Sequence, residues 1–488
     1  MLTRLVVDGF KNLVGVDLRL GPFTCIAGAN GVGKSNLFDA IRFLGAIADQ
    51  PLMEAALAVR SEGGRGADIG GLFHRVGDDA AGTMRFEAEM LVAPQAVDDL
   101  GQPAEATTTF LRYVLELRLR STDASTGGLE VVREELTHIT QGDARDRLGF
   151  DLKAAWLKSA VRGKRGSPFI STESVDGKTY IKRHQDSKQG RPQTFLATAL
   201  PRTVLSSANA AESQTALVAR REMSSWRLLQ LEPSALRAPD DFTAPNRIAA
   251  NGAHVAGTLA RLAHINRRDG GNGAGAAVLA RVANRLSDLV GNIRSVGIDR
   301  DDKRERYTVV VTELDGTRHE ARALSDGTLR FLALAALESD PEARGVLCFE
   351  EPENGIHPDR VAKMLDVLRD LSVDVEAEVG DENPLRQVIV NTHSPGVVAQ
   401  VPDGSLVMAV LVPSAREGRR FHRVAFRCLP GTWRTRTSPD ARTMVRGELL
   451  AYLAPLVRER QEVRPDSRRV IDRPDVQQMT IPGLGRPS

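Results

Sequence analysis

The chain has little that would brace it covalently or sink it in lipid. Three cysteines (Cys25, Cys348, Cys428) in 488 residues are too few for a disulfide framework. That excludes the small disulfide-stapled secreted class and points to a reducing, cytoplasmic setting. No apolar run reaches the length of a bilayer-spanning helix, so no membrane contact is expected. The start, Met1-Leu2-Thr3-Arg4, enters a strand pattern at once and lacks the regions of a signal peptide. Net charge is only +2, so nucleic-acid contact has to come from a local patch. Sustained heptads and internal repeats are missing, which excludes a long coiled coil and a solenoid. What remains is a soluble globular chain, 42% hydrophobic and 26% charged. Its length suits one large domain with an insertion, or two to three ordinary ones.

Against these absences, one stretch stands out. Gly28-Ala29-Asn30-Gly31-Val32-Gly33-Lys34-Ser35 reads GxxxxGKS, a phosphate-binding loop. The apolar run Phe23 to Ala27 before it reads as a buried strand. After it, Leu37, Phe38, Ile41, Leu44 and Ile47 recur at helical spacing. In such a loop Gly28, Asn30, Gly31 and Gly33 let backbone N–H groups curl round a phosphate, helped by the positive end of the helix. Lys34 brings a point charge to the β- and γ-phosphates, and Ser35 a hydroxyl for Mg²⁺. The cofactors implied are ATP and Mg²⁺.

Three more motifs follow in order. Leu324-Ser325-Asp326-Gly327-Thr328 precedes a helix, and its Ser325 hydroxyl and Gly327 N–H can stabilise charge on a γ-phosphate. A plain helix cap is the other reading of Ser325. Gly345 to Phe349 is an apolar strand ending in Glu350 and Glu351. Neighbours on a strand point to opposite sides, so Glu350 can hold Mg²⁺ through water while Glu351 orients or deprotonates the attacking water. A second buried strand, Gln387 to Val390, leads to Asn391-Thr392-His393-Ser394-Pro395. His393 at such an edge reaches the γ-phosphate or the water. His357, in Asn354-Gly355-Ile356-His357-Pro358, reads as a brace of its turn.

Between the motifs, residues 2 to 27 read as strands with a turn near Asn12 to Gly15, and residues 60 to 80 as a loop. Thr83 to Val92, Phe110 to Arg120 and Leu129 to Ile139 have period two and predict an antiparallel sheet. Asp151 to Arg191 is basic, with ten Lys and Arg against four Asp and Glu. It reads either as a nucleic-acid or acidic-partner surface, centred on 153–191, or as a solvated hairpin. Helices are expected over Val204 to Leu231, Asn251 to Leu262 and Ala274 to Val290, with a flexible turn at Asn266 to Gly273. Tyr307 to Val311 and Thr317 to Ala323 predict a hairpin round Asp315-Gly316. Helices are also expected from Leu329 to Leu337 and Asp359 to Leu371.

The four motifs in this order resemble the ABC-type ATPases of the RecF/SMC-like group. More closely they resemble bacterial AAA-labelled ATPases, which include the ATPase halves of overcoming-lysogenization-defect proteins and of several phage-defence systems. Phe10-Lys11-Asn12-Leu13, Asn251-Gly252 and Leu324 to Arg330 fit the same pattern. The resemblance implies an α/β P-loop head of mixed sheet, with an antiparallel β subdomain and an inserted helical lid or arm. Its boundaries would be 1–140 for the lobe carrying the glycine loop, 141–300 for the basic hairpin and arm, 301–430 for the second lobe, and 431–488 for a helix and tail. It makes Gly28 to Ser35 the Walker A loop, Ser325 and Gly327 the signature serving ATP on a second subunit, Glu350 and Glu351 the Walker B pair, and His393 the switch histidine. It implies a homodimer closing head-to-tail over ATP, an effector protein from an adjacent gene, and anti-phage defence. Alternatives are a slow scaffold or sensor for a nuclease or toxin, and a RecF-like DNA-repair ATPase using Lys164, Arg165, Lys182 and Arg183. The chain departs from the group in having Glu350 where Asp is usual. It also lacks an identifiable Q-loop glutamine, sought near Phe73-His74-Arg75 within Gly70 to Asp78. The tail has no acidic cluster of a Toprim nuclease, and its apolar stretch Val476 to Leu484 reads either as a loose chain end or as a segment that docks a partner.

Overall fold

The glycine-loop helix, Lys34–Ile47, is buried on Leu37, Phe38, Ile41, Phe43, Leu44 and Ile47. In the computed structural model it joins two sheets. The structure describes residues 1–60, 69–77, 79–120, 128–186, 190–270, 274–416, 418–437 and 443–453. Phe43 meets Phe10 and Phe86 of the first sheet's neighbourhood at ring-centroid distances of 6.0 and 5.5 Å. Removing one such buried ring typically costs about 3–5 kcal/mol.

The first sheet is antiparallel and has eight strands. Its order is Gln193–Leu196, Lys178–Arg183, Ile170–Val175, Gly128–His138, Phe110–Arg120, Thr83–Leu91, Leu2–Asp8 and Val16–Arg19. The period-two pattern of 83–92, 110–120 and 129–139 is therefore realised as three neighbouring strands. The basic segment supplies two further strands of the same sheet, preceded by a helix at Ala154–Ala160.

The second sheet carries the motifs. Arg227–Leu229, Gly345–Glu350, Arg386–Thr392, Phe23–Ala27 and Leu406–Arg416 lie side by side and parallel, and Arg419–Cys428 closes the edge antiparallel. Parallel strands buried on both faces read as continuous apolar runs, which is why Phe23–Ala27, Gly345–Glu350 and Arg386–Thr392 were legible, while Arg227–Leu229 and Leu406–Arg416 were not. Register sets Leu229 opposite Phe349, Glu350 opposite Asn391, and Thr392 opposite Ala27. All four strand ends thus open on one edge, where ligands of such sheets bind.

A smaller sheet pairs Arg306–Glu313 with Ile293–Asp301, Asp240–Asp241 and Arg318–Glu320. Helices Val255–Gly270 and Ala274–Val290 pack on it. The hairpin round Asp315-Gly316 is present.

Some expectations need correction. The helix read over Val204 to Leu231 is broken: a 3₁₀ turn at Leu205–Ser207 and a helix at Gln214–Ser224 give way to the strand Arg227–Leu229. Parallel pairing with Gly345–Glu350 overrides local helical preference there. The helix expected from Asn251 begins only at Val255, after His254 at φ +71°, and continues to Gly270 through most of the expected turn. Residues 271–273 of that turn lie outside the described residues. The helix expected from Asp359 opens as a 3₁₀ turn, Pro358–Arg360, before Val361–Asp370. The loop expected over 60–80 holds a 3₁₀ turn at Ile69–Leu72 and a short ribbon of Arg75–Val76 with Asp79–Ala80. Residues 61–68 and 78 lie outside the described residues.

Met1–Val445 forms one compact unit and Arg446–Ser488 a second. Of the second, a helix Arg446–Leu453 is described. The apolar tail, Val476 to Leu484, lies outside the described residues. No helix among the described residues is long and apolar enough to cross a membrane.

Candidate functional site: a glycine loop facing two carboxylates

The glycine loop leaves the Phe23–Ala27 strand and enters its helix through Gly33 at φ +105°. A Cβ at Gly33 would sit 2.3 Å from the Asn12 side chain. Glycine is therefore required there both for backbone conformation and for space. Asn12 Nδ2 donates to the Val32 carbonyl at 3.2 Å, and Asn36 Nδ2 donates to Asn12 Oδ1 at 2.8 Å. The asparagine of Phe10-Lys11-Asn12-Leu13 thus braces the loop from outside. Gly28, Asn30 and Gly31 lie on the loop ahead of it, between the strand end and the helix.

Lys34 is buried, and its Nζ donates to the Gly28 and Ala29 carbonyls at 2.7 and 2.9 Å. Burial lowers its pKa, against the pull of Glu351, Glu350 and Glu353. Its ammonium is folded back onto its own loop, within the ring of N–H groups a phosphate would use. Ser35 Oγ donates to Glu350 Oε1 at 2.7 Å, and Asn391 Nδ2 reaches the same oxygen at 3.3 Å. A hydroxyl and a carboxylate that converge in this way are hard oxygen donors suited to a largely hydrated Mg²⁺.

Glu351 lies one residue past the strand, which ends at Glu350, so its direction is set by the turn and not by the strand alternation expected from the sequence. Its backbone has φ +44°, a left-handed conformation that costs a non-glycine residue about 1–3 kcal/mol. Its N–H donates to Asn391 Oδ1 at 3.0 Å, which holds the turn in place. His393 Nδ1 donates to Glu351 Oε1 at 2.6 Å, and Asn354 Nδ2 donates to Oε2 at 2.9 Å. Burial pushes the Glu351 pKa up, but these bonds and the charges of His393 and Lys34 outweigh it, leaving the carboxylate below its ordinary range. Glu353, two residues on, is buried and accepts from the Thr392 hydroxyl; burial raises its pKa.

A cavity of about 870 Å³ opens before these groups, within the size range of ligand pockets. Ser35, Glu350, Glu351, Asn354, Gln230 and Arg330 are among its walls. Gln230 follows directly on the strand whose Leu229 lies opposite Phe349, so it stands level with Glu350 on the adjacent strand. Motif reading missed it, because only the parallel pairing places it there. The one available signal was the short apolar run Leu228-Leu229 ahead of a glutamine. Phe73, His74 and Arg75, where that glutamine was sought, line a separate cavity with Lys11, Asn12, Phe421 and His422.

Ser325 caps the helix Asp326–Glu338, its Oγ accepting from the Thr328 N–H at 3.2 Å. Gly327 packs so closely on the turn after Glu351 that a Cβ would lie 3.2 Å from the Gly355 carbonyl. Neither residue is a wall of the 870 Å³ cavity. Arg237 donates to the Leu324 carbonyl at 3.2 Å and pairs with Asp326, pinning this turn. His357 accepts from the Asp359 N–H at 3.3 Å and caps the following turn, as a brace would.

In the basic segment, Arg165 is bound to Asp186 and the Gln185 carbonyl, and Arg183 to Glu212, Gln193 and Ser207. Lys182 pairs with Glu173. Of the four cations assigned to a nucleic-acid surface, Lys164 alone has no side-chain partner among the described residues.

A family model described as "AAA domain, putative AbiEii toxin, Type IV TA system" matches residues 23–92 and 135–399, more than half of the chain. The DNA replication and repair protein RecF of Actinobacillus pleuropneumoniae serotype 5b, and that of Haemophilus ducreyi, are 49% identical over 45 residues. The match takes in 9% of this chain and 12% of the length of those curated relatives. An SMC head solved with the C-terminal winged-helix domain of ScpA aligns at a TM-score of 0.44 and 14% identity, over 88% of this chain and 98% of that one. The SMC head of Thermotoga maritima aligns at 0.35 and 12%, over 87% and 98%. From the family match and the sheet that carries its motifs, the chain belongs to the AAA-domain family so described, and is a P-loop ATPase of the ABC type in the RecF/SMC-like group.

Proposed function

We propose that the chain hydrolyses ATP at sites completed by a second copy of itself, and that the closing and opening of this pair controls a partner effector or DNA. The observation that carries the reading is the convergence of the glycine loop, Ser35–Glu350 and Glu351–His393 on one sheet edge. On this reading Gly28, Asn30, Gly31, Gly33 and Lys34 bind the triphosphate, with Lys34 leaving its loop carbonyls for phosphate oxygens. Ser35 and Glu350 would hold Mg²⁺, which when bound would supply neutralising charge to the phosphates. Glu351, kept ionised, takes a proton from the attacking water, and His393 fixes its orientation. Ser325 and Gly327 lie off their own chain's cavity, which suits donors that serve a nucleotide on the facing subunit.

The resemblance to phage-defence ATPases suggests that setting and an effector encoded nearby. A slow scaffold is favoured by one observation, Glu350 at the position where Asp is usual. The extra methylene moves the carboxylate relative to Ser35. Steady-state turnover with Mg²⁺ tests both readings. Turnover that disappears in Lys34→Ala supports the hydrolase. Tight ATP binding with negligible turnover supports the scaffold. No ATP binding at all rejects both.

A further inference from the structure

Of the arginines that wall the cleft, Arg42 is exposed to solvent and Arg227 donates to the Ile248 carbonyl, whereas Arg330 is half-buried with no partner among the described residues. Arginines of comparable burial elsewhere are engaged: Arg183 with Glu212, Arg220 with Asp49 and Asp99, Arg261 with Asp340, and Arg434 with the Arg19 carbonyl and Thr24. Arg330 makes no hydrogen bond or ion pair among the described residues, and its Nε is buried without a partner. Asp326 and Glu353 attract it only at a distance, while burial works against its charge. A guanidinium does not shed its proton in a protein, so an unpaired, half-buried one is costly unless an anion completes it.

Its position says which anion. Arg330 walls the cavity that also contains Ser35, Glu350, Glu351 and Asn354. Gly355, in the turn that follows Glu351, is its neighbour; a Cβ there would lie 3.9 Å from Nε, at ordinary contact distance. Arg330 therefore stands beside the turn that follows Glu351, in the cavity that Ser35 also lines. Arg330 also sits five residues into the helix that Ser325 caps. That places it about 7.5 Å along the axis and about 140° round it from Ser325. The tip and the arginine therefore face different ways.

Building on the ATPase reading above, we propose that Arg330 binds the terminal phosphate of the nucleotide held by its own chain's Gly28–Ser35 loop. The helix Asp326–Glu338 then touches two sites: Arg330 answers the triphosphate in the same chain, while Ser325 and Gly327 are offered to the other subunit. A diphosphate leaves Arg330 unanswered, so the residue distinguishes ATP from ADP and links occupancy of one site to presentation of the other.

The test is titration of the full chain with Mg²⁺–ATPγS and with Mg²⁺–ADP, for wild type, Arg330→Gln and Arg330→Lys. Loss of a charge-assisted phosphate contact weakens binding between about tenfold and about a hundredfold. The expected result is a loss of that size for ATPγS in Arg330→Gln, less than about threefold change for ADP, and partial recovery in Arg330→Lys as a point charge. Retained ADP binding shows that the variant is folded. Unchanged ATPγS binding in Arg330→Gln overturns the proposal, and so does an equal loss for both nucleotides, since a structural role would not distinguish them. If wild type binds neither nucleotide, the ATPase reading itself falls; if wild type binds ATPγS and only the Arg330 effect is missing, that reading stands without this addition.

Discussion

His393 Nδ1 lies 2.6 Å from Glu351 Oε1, joining the turn after one parallel strand to the end of its neighbour. The bond leaves Glu351 ionised and fixed in direction, at a residue whose own backbone is strained. Glu351→Gln keeps the shape and removes the base. It is expected to reduce ATP turnover by about 10²–10⁴-fold while leaving ATP binding in place. His393→Ala should lose less, and adding it to Glu351→Gln should cost nothing further, because the two act as one unit. Steady-state and single-turnover hydrolysis measure this. Wild-type turnover in Glu351→Gln rules out the assignment of the base.

Arg237 holds the Leu324 carbonyl and the Asp326 carboxylate, and so fixes how the Ser325 turn is presented. It follows the wall residues Gln230 to Pro233 by one short helix, Pro233–Leu236. Arg237→Ala is expected to lower kcat by about tenfold or more with little change in ATP affinity, since the contact acts on the turn and not on the bound nucleotide. Asp326→Asn should do the same, and a double-mutant cycle should show the pair coupled. Independent, additive effects would place Arg237 outside this chain of contacts.

How much of this was legible depended on how local each signal was. The glycine loop, the two carboxylates and His393 each sit at the end of an apolar run, and a parallel strand buried on both faces writes itself as such a run. The antiparallel sheet was equally plain from period two in residues 83–92, 110–120 and 129–139. Gln230 was not legible, because its strand has only three residues and gains its identity from pairing with Gly345–Glu350. Asn391, which holds both Glu350 and the Glu351 N–H, was visible as a residue but not as a brace. The engagement of Arg165, Lys182 and Arg183 with nearby carboxylates and carbonyls was equally hidden in a simple charge count.

Gln230 stands level with Glu350 on the adjoining strand and walls the same cavity. An amide at that place can hold a water or a ligand of the ion near Ser35. Gln230→Ala is expected to raise the Mg²⁺ concentration needed for half-maximal turnover and to lower kcat by about tenfold. Titrating Mg²⁺ at saturating ATP measures it. His74→Ala, in the separate cavity, should leave that Mg²⁺ requirement unchanged. If the two variants behave the other way round, the glutamine has been placed on the wrong strand.

Glu134 lies outside the nucleotide site, fully buried on the strand Gly128–His138. The N–H groups of Val204 and Leu205 and the hydroxyl of Tyr113 all donate to it, which favours its ionised form. Burial outweighs them and pushes its pKa up to about 7 from the ordinary 4.5. The folded chain therefore keeps a proton that the unfolded chain gives up between about pH 4.5 and pH 7. Across that window stability must fall as pH rises, by roughly 3 kcal/mol, and then level off. Glu134→Gln mimics the protonated form and cannot ionise. It pays a fixed cost at every pH, because its amide accepts only one of the two backbone N–H groups. Its melting temperature should therefore gain on wild type between pH 5 and pH 7.5. A difference between the two proteins that is flat over that range would mean that Glu134 is ionised in the folded chain, with its three donors outweighing burial.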